Sequence, residues 1–412
     1  MKTTHAVNRR FFLKTLMGVG FSGIVASLGL ASTFVSRKGW DDPFDLQTPG
    51  NKTISSGQPV LSLTTVDCTE TAIARYNAIV TAGGWPMVMF GQSELRLGMI
   101  HPTVAALRRR LFVSGDLARE GRMLLSFDSY VEAAVRHFQL RHGLLADGVV
   151  GKITCRAMNV SAQIRLNQLD INLKRLHKIV AKTTKETRFV MVNIPAAQVE
   201  AVQNDVVRQR YIAIVGKIDR QTPILDSKIH EIILNPFWTI PRSIIRNDVI
   251  PLMQRNQDYL AENNIRLFDS KGREVSPRSI NWYTDEAVNF LFRQDPGKIN
   301  AMSSTKINFY NTYAVYMHDT PLPVLFKNFM RFDSSGCVRV QNIRDLNLWI
   351  LQNTPGWDRV KMEAVIRSRR NTQIAVKDPI PLHFVYISAW STGDEAVQFR
   401  DDIYHLDGLL SE

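Results

Sequence analysis

The spacing of apolar residues along the chain changes from helical to strand-like near residue 187. Before that point apolar side chains recur every three or four residues, which predicts amphipathic helices. The predicted helices cover 69–82, 103–112, 129–142, a short segment from 152, and 163–182. After that point β-branched runs closed by Pro, Gly or Asn predict strands. The predicted strands cover 189–194, 211–215, 229–234, 313–319 and 384–388.

Helical and irregular sequence over 242–306 interrupts the predicted strands, and a long insertion within a sheet is often a lid over a functional site. Residues 187–390 are therefore expected to form a β domain with a capping insertion. The remaining segments are expected to be a signal over 1–36, a linker and N-terminal segment over 37–92, a helical domain over 93–160, a connecting helix over 161–186 and a C-terminal tail over 391–412. This layout predicts an α+β multidomain protein.

A chain of 412 residues with 45% hydrophobic and 22% charged residues has the composition of a folded, water-soluble protein. It carries 51 Lys and Arg against 38 Asp and Glu, which gives a net charge of +13. The basic residues are scattered rather than collected in long runs, which favours a solvated surface over a nucleic-acid footprint. Three cysteines exclude a disulfide scaffold, although Cys68 and Cys155 could pair in an oxidising compartment.

The first residues have the order of an export signal, basic and then apolar. Asn8-Arg9-Arg10-Phe11-Phe12-Leu13-Lys14 precedes a stretch without charge over 15–36. The paired arginines resemble signals of the twin-arginine class, which a dedicated receptor reads. This resemblance implies export to the periplasm, which disfavours nucleic acid as a partner. An uncleaved membrane anchor is the alternative, because the stretch is long enough to span a bilayer.

Candidate chemistry concentrates in two segments that each contain one reactive side chain. Cys337 lies in Ser334-Ser335-Gly336-Cys337-Val338-Arg339, and His318 precedes Cys337 by nineteen residues. A thiolate is a strong nucleophile, and a neighbouring imidazole can generate it by taking the thiol proton. Gly336 permits a backbone conformation in which the amides of Gly336 and Cys337 could face a developing oxyanion. By itself the pair is weak evidence, because a buried structural thiol is common.

Strand alternation distributes the neighbours of His318 over two faces. Tyr316 and His318 would share one face of a strand, and Met317 and Asp319 would share the other. Asp319 is therefore not expected to orient His318, and a backbone carbonyl could take that role instead.

The order of these residues resembles the active-site motif of the L,D-transpeptidase (YkuD) catalytic domain. That motif is a His followed by Ser or Thr, any residue, Gly-Cys, an apolar residue and Arg or Asn. Longer strings resemble the YcbB-like subgroup of Gram-negative bacteria, namely His230-Glu231-Ile232, Asn235-Pro236, Trp238-x2-Pro241-Arg242, Arg293-Gln294-Asp295-Pro296-Gly297 and Tyr316-x-His318-Asp319-Thr320-Pro321. Many relatives carry a second His before the motif glycine, where this chain has Ser335.

Residues 93–160 resemble the three-helix peptidoglycan-binding module of cell-wall enzymes. The resemblance rests on the order Val131-x3-Val135-x2-Phe138-Gln139-x3-Gly143-Leu144-x2-Asp147-Gly148-x2-Gly151-x2-Thr154. It implies a domain that holds an enzyme on peptidoglycan and so raises its local concentration. A generic small helical bundle is the alternative. His137 and His142 are not spaced as zinc ligands on a helix and are expected at the surface.

The catalytic resemblance implies a β-sandwich-type fold with a helical capping insertion and a cysteine acyltransferase activity. Cys337 would be the nucleophile that attacks a peptidoglycan tetrapeptide stem and releases its terminal D-alanine. His318 would act as general acid and base, and the backbone of Gly336 would contribute to the oxyanion hole. The residues implied in substrate binding or in support of the site are Arg339, Tyr316, Ser334, Ser335 and Trp238.

The implied reaction joins two stems by a 3→3 cross-link, needs no metal or cofactor, and would be inhibited by carbapenem-type β-lactams. The same Cys–His chemistry could instead use water or a protein lysine as acceptor, which would give an L,D-carboxypeptidase or an enzyme that anchors wall proteins. A further alternative is a non-catalytic peptidoglycan-binding protein whose cysteine is inert.

Overall fold

The computed structural model describes residues 57–89, 94–121, 125–393 and 396–409. The expected export signal over 1–36, the first part of the expected linker and residues 410–412 lie outside these ranges. Within the ranges described, no helix is both long and apolar enough to cross a membrane.

The helices predicted from apolar spacing are present, and their ends differ from the prediction by a few residues. They are α1 (Leu63–Thr81), α2 (Thr103–Val113), α3 (Ser129–Arg141), α4 (Lys152–Met158) and α5 (Ala162–Thr183). Helix α3 begins after Asp128, whose side chain accepts a hydrogen bond from the Val131 amide. It is followed by Gly143, which takes the left-handed conformation common just beyond a helix end.

The helical domain has a core of its own, built from the apolar positions that the sequence pattern indicated. Val104, Leu107 and Leu111 of α2 pack with Val131 and Phe138 of α3, and all five side chains are fully buried. The segment expected to be a linker is also partly structural. Val60 and Leu61 are buried against the catalytic β domain, and Tyr76 of α1 packs against α5.

The remainder of the chain is mostly strands. They are β1 (Arg188–Asn193), β2 (Gln198–Gln203), β3 (Val206–Gly216), β4 (Leu225–Leu234), β5 (Trp238–Thr239), β6 (Ile265–Phe268), β7 (Glu274–Val275), β8 (Leu291–Gln294), β9 (Thr305–Phe309), β10 (Met317–His318), β11 (Phe332–Ser334), β12 (Val338–Val340), β13 (Thr372–Val385), β14 (Ala389–Ser391) and β15 (Val397–Phe399). Four of the five predicted strands lie within or overlap observed ones.

The predicted strand over 313–319 is an exception, because only Met317 and His318 form strand β10. Just before this strand, the Oδ1 of Asn311 accepts hydrogen bonds from the amides of Tyr313 and Val315. A side chain that binds nearby backbone amides competes with strand pairing. The β-branched and aromatic composition of this segment therefore overstated its strand length.

The capping insertion is not purely helical, which corrects the expectation. It contains short helices α6 (Arg242–Ile244), α7 (Ile250–Met253) and α8 (Tyr259–Glu262), with a π-helical turn over Ile245–Val249. It also contains a sheet in the order β5-β8-β6-β7 around a separate core that includes Ile245, Leu260 and Phe292. Strand β6 buries alternate residues, a two-residue period that the sequence reading missed.

The main sheet of the described chain has nine strands in the order β11-β3-β12-β10-β9-β4-β13-β1-β2, and β2 also pairs with β3. The sheet therefore closes on itself. Its interior is filled by residues such as Val190, Ile232, Met317 and Val338, and helix α9 (Ile343–Ile350) packs against it through Leu346. Helix α10 (Arg359–Ser368) follows. The α+β multidomain class is confirmed, and the expected β-sandwich takes the form of one continuous closed sheet.

The segment expected to be a C-terminal tail forms strand β15 and packs into the protein. Phe399 of β15 is buried and stacks on His142, whose ring also stacks on Phe138. His142 is therefore a core residue, which corrects its expected surface position. Burial lowers the pKa of His142 well below its ordinary value, so the ring is neutral and packs as an aromatic.

Cys68 and Cys155 form no disulfide in the described structure. The Cys155 thiol instead donates a hydrogen bond to the Val88 carbonyl at 3.1 Å. The pairing that the sequence left open is therefore not formed.

Candidate active site

Three adjacent strands bring the candidate residues together. In the parallel pair β10–β12, Met317 lies opposite Val338 and His318 lies opposite Arg339. In the antiparallel pair β10–β9, His318 lies opposite Lys306. Met317 and Val338 face the core, so strand alternation directs His318, Arg339 and Lys306 to the other face. Cys337 immediately precedes β12, and this register places it beside Tyr316.

The turn that carries Cys337 requires glycine at position 336. Gly336 has a φ of +105°, which L side chains rarely adopt, and an added Cβ would lie 3.3 Å from the Gln221 carbonyl oxygen. The Thr222 hydroxyl donates a hydrogen bond to the Gly336 carbonyl at 2.9 Å and accepts one from the Gly216 amide at 2.8 Å. The chain after β3 therefore forms the support on which this turn rests.

The Ser334 hydroxyl stabilises the turn through two hydrogen bonds. It donates to the Cys337 carbonyl and accepts a hydrogen bond from the Gly336 amide at 3.1 Å. The Gly336 amide is therefore already bonded, which corrects the expectation that it faces an oxyanion. The Cys337 amide remains as the candidate donor of the pair that the sequence suggested.

The orientation of His318 comes from the backbone. Its Nδ1 lies 2.6 Å from the Asp319 carbonyl oxygen. Because a carbonyl can only accept, Nδ1 carries the proton and Nε2 carries the lone pair. The Asp319 carboxylate accepts hydrogen bonds from Ser304 and does not serve this role, in agreement with the strand argument. Burial and the nearby charge of Arg339 lower the pKa of His318 to about 3, so the imidazole is a neutral base.

Tyr316 lies beside the sulfur of Cys337. Its backbone and its hydroxyl act to lower the pKa of that thiol, against the effect of burial. The Trp238 side chain acts to lower the pKa of Tyr316, which burial raises, and the Lys306 ammonium lies 4.2 Å from the centre of the Tyr316 ring. Trp238 therefore links the capping insertion to the site, although its ring also packs partly against the core of the insertion.

Burial raises the pKa of Cys337, and the hydrogen bonds of Tyr316 and the charges of Lys306 and Arg339 only partly oppose it. Burial likewise lowers the pKa of Arg339, against the attraction of Asp333 and Cys337. The Cys337 thiol and the His318 imidazole are therefore both neutral at rest, and two cations are able to stabilise a thiolate as it forms.

The candidate residues lie on or beside strands β10, β11 and β12 and the turn between the last two, except Trp238, which lies on strand β5 of the insertion sheet. Ser335 lies on the outer side of the turn, where its hydroxyl accepts a hydrogen bond from Arg220 at 3.0 Å. Sequence reasoning missed Lys306, Thr222 and Arg220, because they reach the site through strand pairing and a turn distant in sequence. Among the described residues no three His, Cys, Asp or Glu side chains converge as metal ligands.

Comparison with known proteins identifies the domain that carries this site. Residues 187–362 match the family model described as "L,D-transpeptidase catalytic domain" (YkuD), and residues 101–158 match one described as "Putative peptidoglycan binding domain". The chain therefore carries a YkuD-type L,D-transpeptidase catalytic domain behind an N-terminal peptidoglycan-binding domain. It is 32% identical over 223 residues to a Haemophilus influenzae protein named "Putative L,D-transpeptidase". That match covers 54% of this chain and 45% of the relative, so the chain spans less than half of its length.

Solved L,D-transpeptidases are also similar to parts of the chain. A structure from Mycobacterium smegmatis is 13% identical with a TM-score of 0.23 and covers 48% of this chain and 58% of that one. A structure from Xylanimonas cellulosilytica is 15% identical with a TM-score of 0.23 and covers 72% and 100%. An L,D-transpeptidase solved in complex with imipenem is 14% identical with a TM-score of 0.23 and covers 48% and 59%.

Proposed function

We propose that the protein is an L,D-transpeptidase of the YcbB-like subgroup that forms 3→3 cross-links in peptidoglycan. The observation that carries the proposal is the arrangement of Cys337 and His318 within a domain of the L,D-transpeptidase family. The thiol follows a turn that needs glycine at position 336, and the Asp319 carbonyl orients the imidazole so that Nε2 holds its lone pair. A thiol served by a histidine base is the usual pairing in nucleophilic catalysis by cysteine, and the proposal assigns these two roles to Cys337 and His318.

In the first half-reaction, Nε2 of His318 takes the thiol proton as the Cys337 sulfur attacks the carbonyl between the third and fourth residues of a donor stem. The Cys337 amide stabilises the resulting oxyanion. The intermediate collapses as the protonated imidazole gives its proton to the departing amine, and D-alanine leaves. The product is a thioester between Cys337 and the donor tripeptide stem.

In the second half-reaction, His318 takes a proton from the side-chain amine of a diamino acid on an acceptor stem. That amine attacks the thioester carbonyl, and the sulfur leaves and regains a proton. The result is an amide between the third residues of two stems, and the free enzyme is restored. Lys306 and Arg339 favour both passages through a thiolate, because each places a positive charge near the sulfur.

The helical domain would hold the enzyme on its polymer substrate, and the twin-arginine-type signal over 1–36 would deliver it to the periplasm. The basic charge of the chain suits an acidic cell-wall polymer. The YkuD-type domain also suggests that a carbapenem such as imipenem would acylate Cys337.

The test combines one mass measurement with one product analysis. The intact mass after incubation with imipenem should increase by one adduct in the wild type and not in Cys337→Ala. His318→Gln should slow the acylation by about 10²–10⁴-fold, the range of general acid–base catalysis. Both variants should still sediment with purified peptidoglycan, because neither change touches the helical domain.

Purified tetrapeptide muropeptides should yield 3→3 dimers with the wild-type enzyme only. Tripeptides without dimers would assign the L,D-carboxypeptidase reaction instead. Transfer to a protein lysine, without stem dimers, would assign an anchoring enzyme. If incubation with imipenem does not change the wild-type mass, the protein would be a binding protein with an inert cysteine. That result would overturn the proposal.

A further inference from the structure

The turn between β3 and β4, residues 217–222, is the floor of the catalytic turn. We call it the cradle turn. Its Thr222 hydroxyl donates to the Gly336 carbonyl, and its Gln221 carbonyl lies where it would crowd a Cβ at position 336. The Tyr404 hydroxyl donates to the Gly216 carbonyl at 2.5 Å and accepts a hydrogen bond from the Thr222 amide at 3.1 Å. The cradle turn is therefore itself anchored at both ends.

Arg220 of the cradle turn contacts residues other than Gly336, with which Gln221 and Thr222 are associated. Its Nη1 donates to the Ser335 hydroxyl at 3.0 Å, two residues before the nucleophile. The same Nη1 lies 3.5 Å from a carboxylate oxygen of Asp248. Asp248 belongs to the π-helical turn of the capping insertion, and such turns are frequent at functional sites.

We call the connection from Asp248 through Arg220 to Ser335 the relay, and it differs from an exposed surface ion pair. The side chains of Arg220 and Asp248 are 23% and 33% exposed, so both are largely shielded from water. The Arg220 amide is held by the Lys217 carbonyl at 3.0 Å, which fixes the base of the side chain. The three residues come from separate parts of the chain, and only Arg220 contacts the other two.

We propose that Arg220 is a positioning residue for the reaction: it ties the turn that carries Cys337, through Ser335, to the capping insertion, through Asp248. Trp238, on strand β5 of the insertion sheet, also influences Tyr316, the neighbour of the Cys337 sulfur. If substrate displaces the insertion, Arg220 would transmit that displacement to the turn that carries Cys337. The insertion would then affect the nucleophile directly as well as by covering the site. This inference rests on the proposed function insofar as it concerns the rate of acylation.

A double-mutant cycle tests the relay, because Asp248 and Ser335 are coupled only if Arg220 connects them. The variants are Arg220→Gln, Asp248→Asn, Ser335→Ala and their pairwise combinations. The readout is the second-order rate constant for imipenem acylation of the full chain, followed by intact mass. Arg220→Gln should lower it by about tenfold, and each of the other two single changes by about threefold to tenfold. In the Arg220→Gln background, neither Asp248→Asn nor Ser335→Ala should lower it further.

Rescue by the conservative variant separates positioning from loss of folding. Arg220→Lys keeps the charge near Asp248 but loses the planar fork that reaches two partners, so it should restore only part of the rate. Thermal melts of all variants should lie close to the wild type. The matched control is Arg246→Gln, which breaks the exposed pair between Arg246 and Asp285 at 3.2 Å within the insertion and should leave the rate unchanged.

Two results would overturn the relay. One is additivity, in which Asp248→Asn lowers the rate by the same factor with and without Arg220. The other is an Arg246→Gln effect as large as that of Asp248→Asn. If the wild type is not acylated at all, the proposed function fails, and the same cycle is then measured as alkylation of Cys337 by iodoacetamide. Coupled alkylation rates would support the relay independently of the reaction, and additive ones would refute it.

Discussion

Asp116 is the charged centre at which the helical domain meets strand β15. Its carboxylate is fully buried and accepts hydrogen bonds from Nε and Nη2 of Arg141, each at 2.6 Å, and from Nδ1 of His137 at 2.8 Å. Arg141 also donates to the Val397 carbonyl of β15 at 3.2 Å. Burial alone would raise the pKa of Asp116, but Arg141 and His137 hold it well below its ordinary value. We expect Asp116→Asn to be strongly destabilising.

The magnitude follows from the burial of the partner. The side chain of Arg141 is 3% exposed, so loss of the Asp116 charge leaves a guanidinium in the interior without compensation. Breaking a buried pair in this way costs about 3–5 kcal/mol. Glu120→Gln is the matched control, because Glu120 pairs with Arg109, whose side chain is 55% exposed. Loss of such a surface pair costs about 0–1 kcal/mol.

Urea unfolding at pH 7, followed by circular dichroism, measures both variants against the wild type. Asp116→Asn should lower the midpoint far more than Glu120→Gln does. Since the folded pKa of Asp116 is depressed, its stabilisation is present above the unfolded pKa and is lost as the pH falls through the folded pKa. The difference in the free energy of unfolding between the wild type and Asp116→Asn should therefore become smaller only in strong acid. Equal urea midpoints for the two variants at pH 7 would contradict this prediction.

Three further predictions concern the site and the sheet. Gly336→Ala should destabilise the catalytic turn by about 1–3 kcal/mol and slow acylation, because its φ of +105° strains any L side chain; melts and intact mass measure both effects. Alkylation of Cys337 by iodoacetamide should rise with pH to a half-maximum above the ordinary pKa of a thiol, since burial raises the pKa of Cys337, whereas a plateau already reached in mild acid would indicate a preformed ion pair. Burial lowers the pKa of His383, but Glu186 and Asp226 raise it overall. The contribution of His383 to folding stability is therefore full below its unfolded pKa and is lost as the pH rises through its folded pKa. Melting temperatures of the wild type and His383→Gln should converge at high pH.

The division between the helical domain and the catalytic domain also bears on these experiments. Phe329, which lies shortly before the catalytic turn, packs against the core of the helical domain, and Arg400 donates to the Arg141 carbonyl at 3.0 Å. Deletion of the helical domain would therefore uncover residues of the catalytic unit. Point substitutions separate binding from chemistry more cleanly than truncation does.

Features that depend on neighbours along the chain could be predicted from the amino-acid sequence. Apolar spacing predicted the helices, because one face of a helix is set by residues three and four apart. The motif around Cys337 identified the catalytic domain, since the turn needs Gly336 and its neighbours in a fixed local order. The face shared by Tyr316 and His318 also followed from local alternation, and the structure agrees with it.

The distant residues that complete the site meet only in the folded chain. Lys306 lies opposite His318 through the pairing of β9 with β10, and Arg220 reaches Ser335 from a turn more than a hundred positions earlier in the chain. The Gly336 amide looked available in sequence, yet Ser334 occupies it. These contacts depend on strand register and on the closure of the sheet. Both are set by the simultaneous packing of the whole core, and no local pattern of residue types encodes them.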